Sequence, residues 1–562
     1  MEARNKIIQD LFIVQAFFLI TFLFVSTSWA ASPHWVDDNG AAAWGSCQSA
    51  SPLSGANACS LSTANSNASA GDTVYFRAGN YSTSLSPSNS GTSGNEITWA
   101  AYNGETVNLN NSTAGILLNG DSYQIFDGFT MTSGQGRYIS AYNTGNNNHI
   151  EVKNCTLGGS TQWAGIQTGN SSYWNIHNNT FEPCGNTVAE QHEVIGTEYG
   201  SGFYIHDNTF SDCGSHACVD LGMMDYSSIK NNIFKTTGVF PGIDGVDTMI
   251  MIIKGSNYNV IENNTFYESG SNIDDDHTSA YKIHESKGNI FRKNIIYNID
   301  QWAGMAYVNS DGYGSSEYNM YYNNTVYNSG LNNANLRCSG AFTFRYYTES
   351  NGLFVRYNQV VNNIISNHHR YAFGHNSDNG STSLYGNIYR GNHLYAITGD
   401  EVNRLGDSMS ISSAESNSPS EYYDNSSDDS VDPKLTNPRS ADFTLQSDSP
   451  YINAGLWLTT IKSATGSGTS FVVNNPYFFT DGRGIPEISG DLIQLEGDSS
   501  PVRVTNINYS TATITVNKFV SWTKGNGVSL QYYGSGPDIG AREYGTSSDN
   551  LSAPVGLQIK VN

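Results

Sequence analysis

The chain has 562 residues and a formal net charge of −23, from 27 Lys and Arg against 50 Asp and Glu. This charge argues against nucleic acid or an anionic membrane as the main partner, because a basic patch would lie in a repulsive field. A disordered chain is excluded as well, since 38% of the residues are hydrophobic and 12% are aromatic. The many Gly, Asn, Ser and Tyr residues favour strands and turns over helices.

The first 30 residues have the layout of an export signal. A polar start with Arg4 and Lys6 precedes the apolar run 11–25, and the small residues Ser28 and Ala30 follow. This pattern predicts a signal peptide over residues 1–30. A membrane anchor is the alternative, but the run is shorter than the roughly 20 residues that span a bilayer. We therefore expect a secreted chain, periplasmic or extracellular, without membrane association after cleavage.

From residue 150 to residue 367 one pattern recurs: alternating apolar residues, a polar pair that is often Asn-Asn, and a second short apolar segment. Each copy ends on an apolar anchor, and successive anchors are 24 to 39 residues apart. The anchors are Leu157, Phe181, Phe210, Phe234, Phe266, Ile296, Val326 and Ile365. The alternation has period two, so each copy predicts short strands with no helical periodicity between them.

A repeat of this length with short strands predicts a parallel β-helix, in which about 24 residues make one turn of three strands. Asn tolerates the left-handed backbone of a bend, and identical Asn side chains can hydrogen-bond from turn to turn about 4.8 Å apart. A propeller blade needs four strands in about 40 residues, which these spacings do not accommodate.

Both ends of this region carry recognisable motifs. Residues 58–81 (ACSLSTANSNASAGDTVYFRAGNY) suit a short capping helix that leads into a first strand, and residues 432–455 and 536–544 (GPDIGAREY) suit closing turns. With these motifs the chain resembles the pectin-lyase-like right-handed parallel β-helix superfamily, and in particular its secreted polysaccharide-lyase-like members. The resemblance implies an all-β solenoid with an N-terminal capping helix, and acidic polysaccharides as substrates.

The predicted domains follow from these boundaries. We expect the β-helix over 31–455, with a loop at 409–432, and a small inserted antiparallel β module over 456–532 whose alternating strands break the repeat. A closing β-helix turn over 533–545 and a tail over 546–562 complete the chain.

The cysteines suit an oxidising compartment. Cys47 and Cys59 bracket a Ser- and Gly-rich loop and are the expected disulfide. Cys184 and Cys213 occupy equivalent places in adjacent repeats and could either bridge or stack. The three others, Cys155, Cys218 and Cys338, show no metal-binding spacing and are expected to be structural.

A solenoid has a filled interior, so its chemistry must lie on outward side chains. Counting back from the anchors predicts inward pairs on the preceding strands, among them Val219/Leu221, Met251/Ile253 and Tyr281/Ile283. The outward column then contains Glu198, Asp220, Lys254, Lys282, His284, Tyr307 and Arg345, with Asn309, Trp302 and Tyr347 beside it. A solvated face with chance charges is the alternative, and a slip of one residue would turn the column inward.

This column suits β-elimination on a uronate polysaccharide, alginate- or pectate-like. The reaction needs cations to neutralise the carboxylate, a base of lowered pKa and an acid for the leaving oxygen. We assign Lys254 as the base, Arg345 and Lys282 as carboxylate ligands, and His284 or Tyr307 as the acid. The remaining residues are assigned to substrate binding: Glu198, Asp220, Asn309, Trp302 and Tyr347.

A calcium site is a further expectation, because two acidic loops enter adjacent turns on the same side. Their carboxylates could converge on a hard cation, with an ordinary acidic loop as the alternative. The residues are Asp244, Asp247, Asp274, Asp275 and Asp276. Such an ion would also help a chain of charge −23 to bind a polyanion.

Three other functions remain open from the sequence. Glu198 and Asp220 could form the carboxylate pair of a β-helix glycoside hydrolase, and a C5-epimerase shares the first step of elimination. A non-catalytic carbohydrate-binding or adhesion solenoid requires only the repeat and the export signal. In each case we expect a monomer.

Overall fold

The computed structural model describes residues 31–132, 136–142, 145–159, 164–182, 193–213, 216–236, 248–268, 279–299, 302–309, 311–330, 340–347, 352–369, 371–377, 381–427 and 430–545. Within these ranges the chain winds into three long sheets, here called sheets A, B and C, of 14, 13 and 12 strands. Successive turns pair in parallel, apart from a final hairpin in sheet C. The chain is therefore an all-β parallel β-helix, as the repeat predicts.

Each turn contributes one short strand to sheet A, one to sheet B and one to sheet C. The strands of sheet A are His34–Val36, Thr73–Phe76, Ile97–Ala101, Gln124–Asp127, Ile150–Lys153, Asn175–His177, Tyr204–His206, Ser228–Lys230, Val260–Glu262, Ile290–Arg292, Met320–Tyr322, Gln359–Val361, Ile388–Arg390 and Tyr422–Tyr423. Those of sheet B are Gly79–Tyr81, Val107–Leu109, Phe129–Met131, Thr156–Leu157, Thr180–Phe181, Thr209–Ser211, Ile233–Thr236, Thr265–Glu268, Ile295–Tyr297, Thr325–Tyr327, Ile364–Ser366, His393–Tyr395 and Ser426–Ser427. Those of sheet C are Ala114–Leu117, Arg137–Ala141, Ala164–Ser172, Glu193–Ser201, Ala217–Asp225, Thr248–Ile253, Ser279–His284, Gly304–Val308, Gly340–Tyr346, Tyr371–Ser377, Val402–Arg404 and Asp407–Met409.

The predicted anchors form one continuous column in sheet B. Each is paired in register with the anchor of the next turn, from Leu157 to Ile365. All eight are fully buried. The rings of the four Phe anchors stack with centroids 4.5 to 4.9 Å apart. The predicted inside of the solenoid is thus confirmed at these positions.

Buried asparagines hold the bends together. The first ladder, between sheets A and B, is Asn179, Asn208, Asn232, Asn264, Asn294, Asn324, Asn363, Asn392 and Asn425. In each step one Nδ2 donates to the Oδ1 of the next turn at 2.9 to 3.1 Å. A second ladder runs through Asn259, Asn289, Asn319, Asn358 and Asn387. The residue before each first-ladder Asn is left-handed, for example Asn231 and Asn263 with φ of 57° and 56°. In each Asn-Asn pair, the first Asn therefore adopts the left-handed bend and the second forms the ladder hydrogen bonds.

The N-terminal end is capped by a short helix, Leu61–Asn67, as expected from its sequence. Ser60 caps it by accepting a hydrogen bond from the backbone N–H of Thr63 at 3.2 Å. A disulfide joins Cys47 to Cys59 beside this cap. A second disulfide joins Cys213 to Cys218, so Cys213 does not bridge to Cys184, which lies outside the described residues, as does Cys338.

Towards the C-terminal end the structure differs from two predicted boundaries. The segment 409–432, expected to be a loop, contains the helix Ile411–Asn417 and the last strands of sheets A and B, because the buried Ile411 and Ala414 cover the end of the core. Residues 533–545 contain no strand and are not a turn of the solenoid. They lie against its outside, where Asn323 Nδ2 donates to the carbonyl oxygen of Asp538 at 2.9 Å.

Several elements lie outside the three long sheets. Short 3₁₀ helices are Trp44–Ser46, Gly55–Asn57, Ser381–Ser383 and Pro438–Ser440. A small parallel sheet comprises Ser316–Glu317, Val355–Arg356 and Leu384–Tyr385, and an antiparallel pair comprises Leu435–Asn437 and Asp442–Leu445. The antiparallel module comprises Thr459–Thr460, Gly466–Val472, Leu492–Leu495, Val502–Asn508, Thr513–Trp522 and Gly527–Leu530.

The module docks on the outer face of sheet A. Arg292 of sheet A donates to both carboxylate oxygens of Asp491 at 2.8 and 2.6 Å, and both side chains are nearly buried. The Tyr322 hydroxyl donates to the carbonyl oxygen of Phe478 at 2.6 Å. Val260 and Ile290 share an apolar cluster with the module residue Ile493. None of the helices in the described ranges is long and apolar enough to cross a bilayer.

The ladders predict a strong, local dependence of stability on single amides. Asn264→Ala would remove the acceptor of the buried Asn232 backbone N–H, one hydrogen bond of the Asn232 side-chain amide, and the amide donor to the Ile229 carbonyl. We expect a loss of roughly 2–4 kcal/mol in the free energy of unfolding, measured by urea denaturation. Asn108→Ala is the control, because Asn108 makes the same kind of amide pair with Asn80 at the surface. Equal effects of the two substitutions would contradict a structural role for the buried ladder.

Candidate functional site

The candidate site lies on the outer face of sheet C, where the register of successive turns aligns polar side chains. One outward column contains Gln167, Gly196, Asp220, Met251, Lys282, Met305 and Thr343. The adjacent column passes from Glu198 through Gly222 and Ile253, and continues with His284, Tyr307 and Arg345.

The register differs from the predicted one at a single turn. Met251 and Ile253 were expected to point inward, but the inward residues are Ile250 and Ile252, which align with Val219 and Leu221 and are fully buried. The anchor count slipped because this turn is one residue longer: Ile252 lies 14 residues before its anchor Phe266, whereas Leu221 and Ile283 lie 13 residues before theirs. Lys254 follows the strand end in a left-handed conformation, with φ of 56°.

Lys254 nevertheless reaches the face. Its Nζ donates to Glu198 Oε1 at 3.0 Å, and about a third of each side chain is exposed. Burial lowers the pKa of Lys254, but the hydrogen bond and charge of Glu198 outweigh it and raise the pKa above the ordinary value. The sequence-based assignment required a lysine of lowered pKa, so Lys254 can act as a base only when the charge of Glu198 is compensated.

A cluster of Glu193, His216 and Asp220 lies next to this ion pair. His216 Nδ1 is 3.0 Å from Glu193 Oε1 and 3.9 Å from Asp220 Oδ2. Asp220 is nearly buried, and its Oδ1 has no hydrogen-bond partner among the residues that the structure describes. Burial, together with the charge of Glu193, raises the pKa of Asp220 to about 7. Gly196 leaves room for this cluster, since a Cβ there would lie 2.9 Å from Glu193 Oε2.

The cluster is suited to a divalent cation. One donor atom from each of its three residues lies within 4.8 Å of the other two, and two carboxylates with an imidazole are common ligands of divalent metals. The unpartnered Oδ1 of Asp220 supplies a further oxygen donor. The five predicted calcium ligands, Asp244, Asp247, Asp274, Asp275 and Asp276, lie outside the described residues.

The second group of predicted residues lies further along the face. His284 Nε2 donates to Asn309 Oδ1 at 2.9 Å, and the His284 ring stacks on Tyr307 of the next turn at 4.5 Å. Lys282 Nζ lies 6.0 Å from the centre of the Trp302 ring. Lys282 and His284 are only 8% and 4% exposed, so these two residues occupy outward positions of their strand but are nearly buried.

Arg345 and its neighbours form the exposed part of this second group. The Arg345 guanidinium lies 3.9 Å from the centre of the Tyr347 ring, and the Tyr307 ring packs edge-on against Tyr347 at 5.8 Å. A planar cation on an aromatic ring suits carboxylate and sugar binding. With about 4.8 Å between strands, Arg345 lies roughly three turns from Lys254, so the predicted column consists of two separate groups.

Two contributions to the first group were missed in the sequence. Glu193 and His216 fall at or before the start of their strands, outside the pairs counted from the anchors. Tyr313 lies close enough to Lys254 for the charge on its phenol to raise the pKa of the lysine. Nearly half of Tyr313 is exposed, so its hydroxyl is accessible to a ligand on the face.

No family model and no curated protein matches the chain. Among solved structures, it is similar to the pectate lyase Pel9A, at 14% identity over 91% of this chain and 97% of that chain, with a TM-score of 0.41. It is similar to a GH136 lacto-N-biosidase from Eubacterium ramulus, at 12% identity over 67% and 68%, with a TM-score of 0.35. It is also similar to PfbA, a surface adhesin of Streptococcus pneumoniae, at 14% identity over 59% and 84%, with a TM-score of 0.36. The function has to be argued from the residues of this chain.

The ion pair predicts how Lys254 responds to its neighbour. In Glu198→Gln the charge that raises the pKa of Lys254 is removed, so that pKa falls and more of the amine is neutral at a given pH. We expect faster acetylation of Lys254 by acetic anhydride near pH 8, measured by mass spectrometry. Lys153, which forms a similar ion pair with Glu151 on sheet A, should react at an unchanged rate. An unchanged rate at Lys254 would contradict this electrostatic coupling.

Proposed function

We propose that the chain is a secreted polysaccharide lyase that cleaves a uronate-containing polysaccharide, alginate- or pectate-like, by β-elimination. The glycan lies along the outer face of sheet C. The observation that carries the proposal is the position of Lys254. Its side chain is about a third exposed near Tyr313 and lies one turn from the cluster of Glu193, His216 and Asp220.

The proton transfers are assigned to Lys254 and Tyr313. Elimination removes the C5 proton of the uronate and protonates the departing glycosidic oxygen. The neutral Lys254 amine takes the C5 proton, and the Tyr313 hydroxyl donates to the leaving oxygen. We assign this role to Tyr313 in place of His284 or Tyr307, because His284 is nearly buried and the Tyr307 ring packs against His284 and Tyr347, whereas nearly half of Tyr313 is exposed.

The cluster of Glu193, His216 and Asp220 would hold a divalent cation. A cation there supplies positive charge that attracts the substrate carboxylate and lowers the pKa of a neighbouring ammonium. The chain itself holds the partly buried Glu193 beside the nearly buried Asp220, whose unpartnered oxygen is costly without a ligand. Imidazole as a ligand extends the candidates from Ca²⁺ to borderline metals such as Zn²⁺ or Mn²⁺.

The second group positions the polymer. Arg345 binds the carboxylate of a neighbouring uronate, and Tyr347, Tyr307 and Trp302 offer rings for the sugar faces. Lys282 adds positive charge below the surface. Because the two groups are roughly 14 Å apart, a substrate that contacts both spans several sugar units.

The export of the chain is proposed on two grounds. The leader-like residues 1–30 predict a signal peptide. The disulfides Cys47–Cys59 and Cys213–Cys218 suit an oxidising compartment. We propose that the mature chain is a monomer there.

Lys254→Ala tests the base. We expect the ultraviolet absorbance of unsaturated uronate products to rise when the wild-type chain is incubated with alginate or polygalacturonate. The variant should lose this activity by on the order of a hundredfold or more, because general-base catalysis contributes that much. Lys153→Ala, which breaks a comparable ion pair on sheet A, is the control and should keep full activity.

Other outcomes of this assay select a different function. New reducing ends without a rise in ultraviolet absorbance would indicate hydrolysis instead of elimination, with Glu198 and Asp220 as the carboxylate pair. Proton exchange at C5 without chain cleavage would indicate an epimerase. Binding without any product would favour the adhesion solenoid.

The cation is tested separately. Chelation should abolish elimination, and titration with Ca²⁺, Mn²⁺ or Zn²⁺ should restore it in the wild-type chain. In the double variant Glu193→Gln/Asp220→Asn, the same titration should restore little, because both carboxylate ligands are lost. Activity that survives chelation, or equal restoration in the variant, would show that the cluster holds no required ion.

A further inference from the structure

We propose that the cleft between the antiparallel module and sheet A is a second, non-catalytic binding site for a carboxylate-bearing saccharide. This cleft is a cavity of about 540 Å³ between the antiparallel module and sheet A. That volume is within the range of sites for small ligands. The cavity lies on sheet A, so it is separate from the face of sheet C. The ligand class rests on the proposed function, while the site itself rests on the geometry of the cavity.

The charges that line the cavity favour an anion. Five cationic side chains line it, against three acidic ones. The cations are Lys230, Arg292, Lys293, Arg483 and Arg503, and the acids are Glu262, Glu487 and Asp491. In a chain with 27 cations and a net charge of −23, this concentration is local and opposite to the global charge.

The internal ion pairs of the cavity use only part of this positive charge. Glu262 binds Lys230 at 2.9 Å and Arg292 at 2.7 Å, and Asp491 binds Arg292 at 2.6 Å. Within the described ranges, Lys293, Arg483 and Arg503 form no ion pair. Burial and the charge of Arg292 lower the pKa of Lys293, as expected where positive charge is in excess.

Arg483 is the residue best placed to bind the ligand. Its Nε donates to Thr480 Oγ1 at 3.1 Å, which fixes the guanidinium, and the guanidinium lies 5.5 Å from the centre of the Tyr258 ring. Its Nη1 is buried, with no hydrogen-bond partner in the described part of the chain. A buried guanidinium nitrogen without an acceptor is costly, and a ligand carboxylate would remove this cost through a charge-assisted hydrogen bond.

The aromatic wall of the cavity fits a sugar. Tyr204 and Tyr226 line it from the side of the solenoid, and Tyr226 is 41% exposed. Tyr rings bind the apolar faces of sugars while their hydroxyls remain solvated. A carboxylate near Arg483 and a pyranose ring on tyrosine together describe a uronate unit.

The test measures binding stoichiometry in the Lys254→Ala background, which is intended to prevent turnover of the ligand. The probes for calorimetry are trigalacturonate, trimannuronate, a neutral galactotriose and inorganic phosphate. We expect two sites for an acidic trisaccharide, and neither galactotriose nor phosphate should fill the cleft. Adding Arg483→Gln should weaken one site on the order of tenfold or more, while Arg439→Gln, at an exposed position, should leave both unchanged.

Lys230→Gln is a second variant, which changes the cavity from the solenoid side while Glu262 keeps its pair with Arg292. A folding defect of the module would therefore not explain its effect on binding. This variant should weaken the same site. The proposal is overturned if both variants bind both acidic ligands normally, if galactotriose fills the cleft equally well, or if phosphate alone occupies it. Elimination by an otherwise wild-type Arg483→Gln chain should be unchanged, so a failure of the lyase proposal and a failure of this one are distinguishable.

Discussion

The buried asparagine ladders are the interaction on which the rest of the structure depends. A tightly wound chain places backbone N–H and C=O groups inside each bend, and leaving such groups unpaired is costly. Each ladder Asn accepts from the backbone N–H of the previous turn and donates to a carbonyl of that turn, as Asn264 does with Asn232 and Ile229. The amides therefore satisfy the bend and also fix the register between turns.

Because the register between turns is fixed, the spacing of residues in the sequence determines where their side chains lie on the surface of the solenoid. Because turn follows turn at one strand spacing, loops of different length can leave the solenoid without disturbing the alignment of Glu198 with Gly222, or of Tyr307 with Arg345. The candidate functional side chains are consequently arranged along the axis of the solenoid. Lys254 and the neighbouring carboxylates form one group. The side chains of His284, Tyr307 and Arg345 form another group further along.

The parts predictable from sequence are those that repeat. The anchors from Leu157 to Ile365 were found because every turn buries the same position, and the ladder was found because every bend needs the same amide. Lys254 was misplaced in register because its turn has one extra residue between the inward pair and the anchor Phe266, which alternation alone does not reveal. Glu193 and His216 were missed because they stand where loops rejoin the strand. The pair of Arg292 and Asp491, 199 residues apart, joins the solenoid to the module, so the repeat pattern gave no signal for it.

The net charge of −23 is compatible with binding to an acidic polymer once distance is considered. Charges separated by more than about 8 Å are largely screened at physiological ionic strength, so a ligand responds to the few side chains within that distance. Arg345 on Tyr347 and the cations around Arg483 are local concentrations of this kind. The acidic remainder of the surface then acts in the opposite sense, because a polyanion is held at these places and repelled between them. Selectivity for a carboxylated glycan can therefore arise from a chain that is, as a whole, strongly acidic.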